Sequence, residues 1–321
     1  VHPLPHSLVE YIWDYGSLPV EVERLYIIAM LSHDIELPSP YDHPEVIRLP
    51  VALGLRESQT MEFRAPPACR LFADLISSSQ SFIREYSDGN VSLRDVTRCV
   101  RLYNWFQRSL LSRHTLCVGH KPIPALEAII KSMALSLAHV YHSRLNTEQR
   151  TRYRGTVTRI INSARGIDFH LGKNDVQAII TAEQQFYVNQ LSPGEGISLN
   201  QALCENVFMV LVCILNRIPI FLIGKPGSSK SLAIELITAN LHGKTSPAPF
   251  FRDFPAVEVF SYQCSPLSTP QGIEATFQHA IRYQASTSNT FVVVLLDEVG
   301  LAEQSPHLPL KVLHALLEDA E

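Results

Sequence analysis

The chain has 321 residues and a mass of 36.0 kDa, and its 46% hydrophobic content is enough to bury one large core or two ordinary ones. A formal net charge of −4 with an isoelectric point near 6.4 supplies no global basic field and argues against a nucleic-acid partner. Six scattered cysteines without a CxxC pair argue against a disulfide frame or a zinc site and predict reduced, mostly buried thiols in a cytosolic protein.

At the N-terminus His2, Pro3, Pro5 and His6 interrupt any apolar core, so no signal peptide is expected. The longest apolar run, 207–215, has nine residues, against the ~20 needed to span a bilayer. A soluble, cytoplasmic chain without a transmembrane segment is the expectation.

Residues 7–15 and 20–32 place apolar side chains at helical spacing, Leu8, Ile12 and Tyr15 in the first, Leu25, Ile28 and Leu31 in the second. Pro38, Pro40, Pro44 and Pro50 then predict an irregular connector over 37–53, and the stretch 61–67, with Pro66 and Pro67, adds a second break. A helix is expected over 68–86, then a turn at 88–90. The next helix opens SLRDVTR, with Ser92 as N-cap and Asp95 at the acidic third position. Arg94 sits in its first turn, where the helix dipole disfavours a cation; it is either an exposed arginine or one aimed at a phosphate. Residues 123–141, 147–164 and 174–189 continue helical. Arg150, Arg152, Arg154, Arg159 and Arg165 have only Tyr153 among them for base stacking, so they read as a solvated helix face rather than an RNA surface.

A Pro/Gly-containing linker at 192–196 marks the clearest boundary. Beyond it Ser198 and Gln201 fit a capping box, and Leu199, Leu203, Val207, Val210 and Ile214 give an amphipathic helix. It leads into IPIFLIGKPGSSKSLAIELITANL at 218–241: a β-branched run expected as a strand, a turn, and a helical pattern. That order is the context a phosphate-binding loop requires. Backbone N–H groups must reach phosphate oxygens without side chains in the way. The candidate cradle is Gly224, Lys225, Pro226, Gly227, Ser228, Ser229, Lys230 and Ser231. Lys230 suits the β and γ phosphates of a nucleotide, and the Ser231 hydroxyl suits Mg²⁺. Ser229 stands where GxxxxGK(S/T) has its second glycine, and its Cβ occupies a place where the backbone usually needs room.

A second strand is expected at 257–262, a turn at 265–272 and a helix at 273–283. The run TFVVVLLDE at 290–298 reads as a strand buried on both faces, as in a parallel sheet covered by helices. It ends in Asp297, placed to hold Mg²⁺, and Glu298, placed to polarise an attacking water. A last helix is expected at 310–318.

The segments GKPGSSKS, FSYQCSPLSTPQGI and LDEVGLAEQSPHLPLKVLHALLED resemble the mysterin-like family of giant AAA+ E3 ubiquitin ligases at its ATPase core, strongly over 197–321. The resemblance implies an α/β fold: the N-terminal part of a P-loop AAA+ large-subdomain core with a parallel sheet, preceded by a mostly α-helical region. It also implies a lid-like end of a preceding AAA+ module over 1–115, in which Arg94 matches the sensor arginine, and a helical connector over 116–196. ATP binding and Mg²⁺-dependent hydrolysis would follow, with neighbouring AAA+ modules of the same polypeptide and, through the parent, the ubiquitin machinery as partners. The cytosol, with possible lipid-droplet association, would be the location. The ligase's zinc modules are not in this sequence, and the sensor strand, trans-acting arginine and lid are expected after Glu321. The alternative is a module that binds ATP as a structural element without turnover.

Overall fold

The computed structural model describes residues 20–52, 58–86, 91–116, 122–194, 196–225 and 227–318; the helix expected at 7–15, the turn at 88–90, Cys117 and Pro226 lie outside the described residues. The chain divides into two compact units, Val1–Gln107 with Pro124–Val176, and Arg108–Ile123 with Gln177–Glu321.

In the first unit, α1 (Val20–Asp34) buries Ile27, Ile28 and Leu31. Strands β1 (Glu45–Ala52) and β2 (Ser58–Ala65) follow, then α2 (Pro67–Tyr86), which packs on α1 and buries Leu75, Ile76 and Ile83. Each such side chain contributes roughly 1.5–3 kcal/mol through burial. Ion pairs Arg84–Glu23 at 2.7 Å and Arg24–Asp74 at 2.5 Å join the same two helices.

The hairpin corrects the expected connector at 37–53 and the break at 61–64: β1 and β2 pair antiparallel from Glu45↔Ala65 to Ala52↔Ser58. Pro50 lies inside β1 opposite Thr60. In a two-stranded sheet every strand is an edge, so one missing donor can fall on the open side and proline is tolerated.

Helix α3 (Leu93–Leu116) starts as read, with the Ser92 N–H donating to Asp95 Oδ2 at 3.0 Å. Asp95 also accepts from Arg144 at 2.5 Å. Helices α4 (Ala125–Val140) and α5 (Thr147–Asn162) follow, α5 opened by a capping box between Asn146 and Gln149. One side of α5 buries Tyr153, Val157 and Ile161, while Arg152 and Arg159 are exposed. Arg154 donates to His142 Nε2 at 3.1 Å. An arginine can only donate, so that nitrogen accepts and the imidazole is neutral. Burial, with Arg150 and Arg154 nearby, pushes His142 down from 6.5 to about 3.

In the second unit, Arg113 forms a buried pair with Glu183 of α6 (Asp175–Val188) at 2.5 Å and lies 3.7 Å over the Phe186 ring. The stretch predicted as a linker is docked: the Ser192 N–H donates to Asn240 Oδ1 at 2.8 Å. Helix α7 (Gln201–Leu215) is capped by Asn200, whose side chain accepts the Leu203 N–H, and not by the expected Ser198–Gln201 box. Asn200 is adjacent to the first helical residue, where an amide oxygen reaches the third N–H; Ser198 is two residues further out. The buried Leu203, Val207 and Val210 make the core face of α7, which packs on α8 (Lys230–Asn240) with its buried Ala233, Leu236 and Ile237.

Strand β3 (Ala256–Gln263), helix α9 (Pro270–Ser286) and strand β4 (Thr290–Asp297) form a β–α–β unit with parallel register from Ala256↔Thr290 to Gln263↔Asp297. Short α10 (Val299–Ala302) and α11 (Val312–Glu318) complete the described chain.

Two sequence expectations fail here. The run 218–223 joins no ladder; Phe221 is 68% and Ile223 96% exposed. Its residues favour extended backbone, but a strand exists only where another strand bonds to its N–H and C=O groups, and among the described residues the parallel sheet holds only β3 and β4. For the same reason β4 is half-buried along its length instead of covered on both faces.

Candidate functional site

The loop between α7 and α8 folds around one ammonium group. Lys230 Nζ donates to the Gly224 carbonyl at 2.8 Å, the Lys225 carbonyl at 3.2 Å and Ser228 Oγ at 3.2 Å. The Ser228 N–H closes the turn on the Lys225 carbonyl at 3.2 Å. Gly224, Lys225, Gly227 and Ser231 are exposed, so the loop opens to solvent.

Each glycine has its own reason. A Cβ at Gly224 would lie 2.6 Å from Ser228 Oγ, a collision. At Gly227 the space is open but φ is +78°, a torsion that L side chains rarely adopt. Ser229 takes φ 59° and ψ 27°, the left-handed conformation a glycine would supply, and pays for it in backbone strain of about 1 kcal/mol. Ser229 is also the N-cap of α8, yet its side chain makes no capping bond. The amides of the first turn are therefore uncapped by it, and the helix dipole adds partial positive charge there. These features fit a polyphosphate.

The acidic pair stands at the end of β4. Asp297 and Glu298 are both exposed. The Glu298 N–H donates to Asp297 Oδ1 at 2.9 Å, and the Cys264 N–H donates to the Asp297 carbonyl at 2.9 Å. Glu298 is itself left-handed, with φ 51°. Burial, and then the Asp297 charge, push the Cys264 thiol up.

The structure thus gathers 224–225 and 227–230 into one cradle, and Asp297 with Glu298 at one strand end. Among the described residues no hydrogen bond or ion pair joins the two groups. Arg94 is exposed on the first turn of α3.

Sequence reasoning missed two side chains. Gln263, paired in register with Asp297, donates from Nε2 to Glu298 Oε2 at 3.3 Å. Asn206 of α7 donates from Nδ2 to the Ser228 carbonyl at 2.8 Å. Gln263 could have been found by aligning the C-terminal ends of the two strands; Asn206 left only the signal of an amide in an apolar helix.

Among the described residues no helix is long and apolar enough to cross a membrane, and no group of three or more His, Cys, Asp or Glu is placed to hold a metal ion.

A family profile described as the RNF213 AAA domain matches residues 196–321. Over 99% of its length the chain is 36% identical to the human E3 ubiquitin-protein ligase RNF213 and 36% identical to the mouse protein of that name. It is 34% identical, again over 99% of its length, to the zebrafish E3 ubiquitin-protein ligase rnf213-beta. The chain spans about 6% of the length of each of these relatives.

Proposed function

The chain is an RNF213-like segment with an AAA domain at 196–321, and from that premise we propose that it binds ATP and hydrolyses it with Mg²⁺ as one module of a mysterin-like E3 ubiquitin ligase. The observation that carries the reading is the loop wound around Lys230, with left-handed Ser229 leading into a helix start that no side chain caps.

On this reading the fold of 197–321 is the N-terminal part of a P-loop AAA+ core, 1–115 ends a preceding module and 116–196 connects them. The cradle from Gly224 to Ser231 receives the phosphates, and Lys230 turns from the loop carbonyls to the β and γ groups. Ser231 and Asp297 are the residues that would hold Mg²⁺, which when bound offsets charge on the phosphate oxygens. Glu298 accepts a proton from the attacking water. Neighbouring AAA+ modules and, through the parent, the ubiquitin machinery are the partners this reading assigns, in the cytosol and at lipid droplets.

Lys230→Ala tests it. Removing the ammonium should weaken ATP binding by at least about tenfold, since hydrogen bonds to charged groups are worth about 1.5–3 kcal/mol. Equal affinity of wild type and variant in equilibrium titration overturns the reading.

One observation favours a second reading, an ATP-binding structural module without turnover: among the described residues no bond joins the loop to Asp297 and Glu298. Titration beside a phosphate-release assay separates the two. Binding without release supports the structural module; binding with release supports the enzyme.

A further inference from the structure

The phosphate loop lacks the usual support of a strand before it, because 218–223 joins no ladder. Something else must hold its backbone. The bonds from Lys230 and the Ser228–Lys225 turn are internal to the loop and can move with it. Asn206 is different: it belongs to α7, whose Leu203, Val207 and Val210 are locked in the core. Its bond to the Ser228 carbonyl is 2.8 Å long and partly buried.

We propose that Asn206 is a positioning residue that sets the orientation of the Ser228–Ser229 peptide and so aims the Ser229 N–H into the anion cradle. This rests on the nucleotide-binding reading above and adds a residue to it. A trans peptide is planar, with its C=O and N–H pointing in opposite directions. Holding the Ser228 carbonyl toward α7 therefore turns the Ser229 N–H away from α7. That N–H has no backbone acceptor among the described residues. The residue carrying it has left-handed torsions, which are unfavourable for a residue with a side chain. A peptide leading into left-handed torsions can flip at small cost unless its carbonyl is held. With the bond lost, the flipped state would present a carbonyl to the phosphates where a donor is needed.

The test uses the full 321-residue chain with Asn206→Leu, which keeps the volume and removes the donor without adding charge, and Asn206→Gln, which keeps the donor on a longer arm. Affinities for ATP and for inorganic tripolyphosphate are measured beside unfolding midpoints. Asn206→Leu should weaken both ligands by the same factor, about three- to tenfold, with an unchanged midpoint, and Asn206→Gln should recover part of it. Should Asn206→Leu lower the midpoint, Asn206→Ala is measured at a temperature where it is fully folded, with the same loss expected. Wild-type affinity in the folded donor-less variants overturns the role of Asn206 while Lys230→Ala still abolishes binding. Loss of ATP affinity with tripolyphosphate unaffected also overturns it, because the effect then lies outside the phosphate cradle. Indifference of both ligands to Lys230→Ala strikes the nucleotide reading itself.

Discussion

Two pairs of acidic and polar residues show how differently the two units treat charge. In the first, Asp95 is 4% exposed, accepts from the Ser92 amide and from Arg144 at 2.5 Å, and forms an ion pair with Arg98 at 3.6 Å. In the second, Asp297 and Glu298 are exposed, and among the described residues the Glu298 carboxylate meets only the amide of Gln263, at 3.3 Å. Asp95 is spent on stability, so its surroundings are complete. The strand-end acids face water, and Glu298 has left-handed torsions, an arrangement in keeping with the roles proposed for them.

The largest effect that would sharpen this contrast is on turnover. Glu298→Gln should leave ATP binding intact and lower phosphate release by about 10²–10⁴, the range for a general base; wild-type release rates would break it. Next is Asp95→Ala, which removes the acceptor of the Ser92 amide and of Arg144 and should cost about 3 kcal/mol in urea unfolding. The matching Asp297→Ala should change stability by less than about 0.5 kcal/mol.

A smaller effect concerns pH. His142 is held near 3 in the folded state against 6.5 unfolded, so between those values the unfolded chain binds more protons. Its contribution is fully present above pH 6.5 and is lost as pH falls. Between pH 7 and 5 the wild type should lose about 2 kcal/mol more than His142→Gln does. Smaller again is Ser229→Gly, which relaxes a left-handed serine and should raise stability by about 1 kcal/mol; a lower midpoint would show that the serine side chain supports the loop.

Helices were legible in the sequence because spacing and caps are local: Ser92 with Asp95, and the Tyr153–Val157–Ile161 stripe, lie within one segment. Strands β3 and β4 were legible one by one for the same reason, β3 from its alternation and β4 from its apolar run, while their pairing was not. The hairpin was hidden by Pro50, and the fate of 218–223 by the fact that a ladder is a property of two segments. Glycine positions in the loop could be read, whereas the torsion of Ser229 could not, since a serine announces nothing about φ. Asn206 and Gln263 reach their targets across 22 and 35 positions, beyond any local pattern.

The ribbon at 218–223 also carries apolar side chains into water. Phe221 and Ile223 are exposed on a run that joins no ladder among the described residues, the ingredients of edge-to-edge association. Arg217 and Pro219 on one side and Lys225 on the other act as gatekeepers, a charge, a missing donor and a second charge that keep this sticky stretch short.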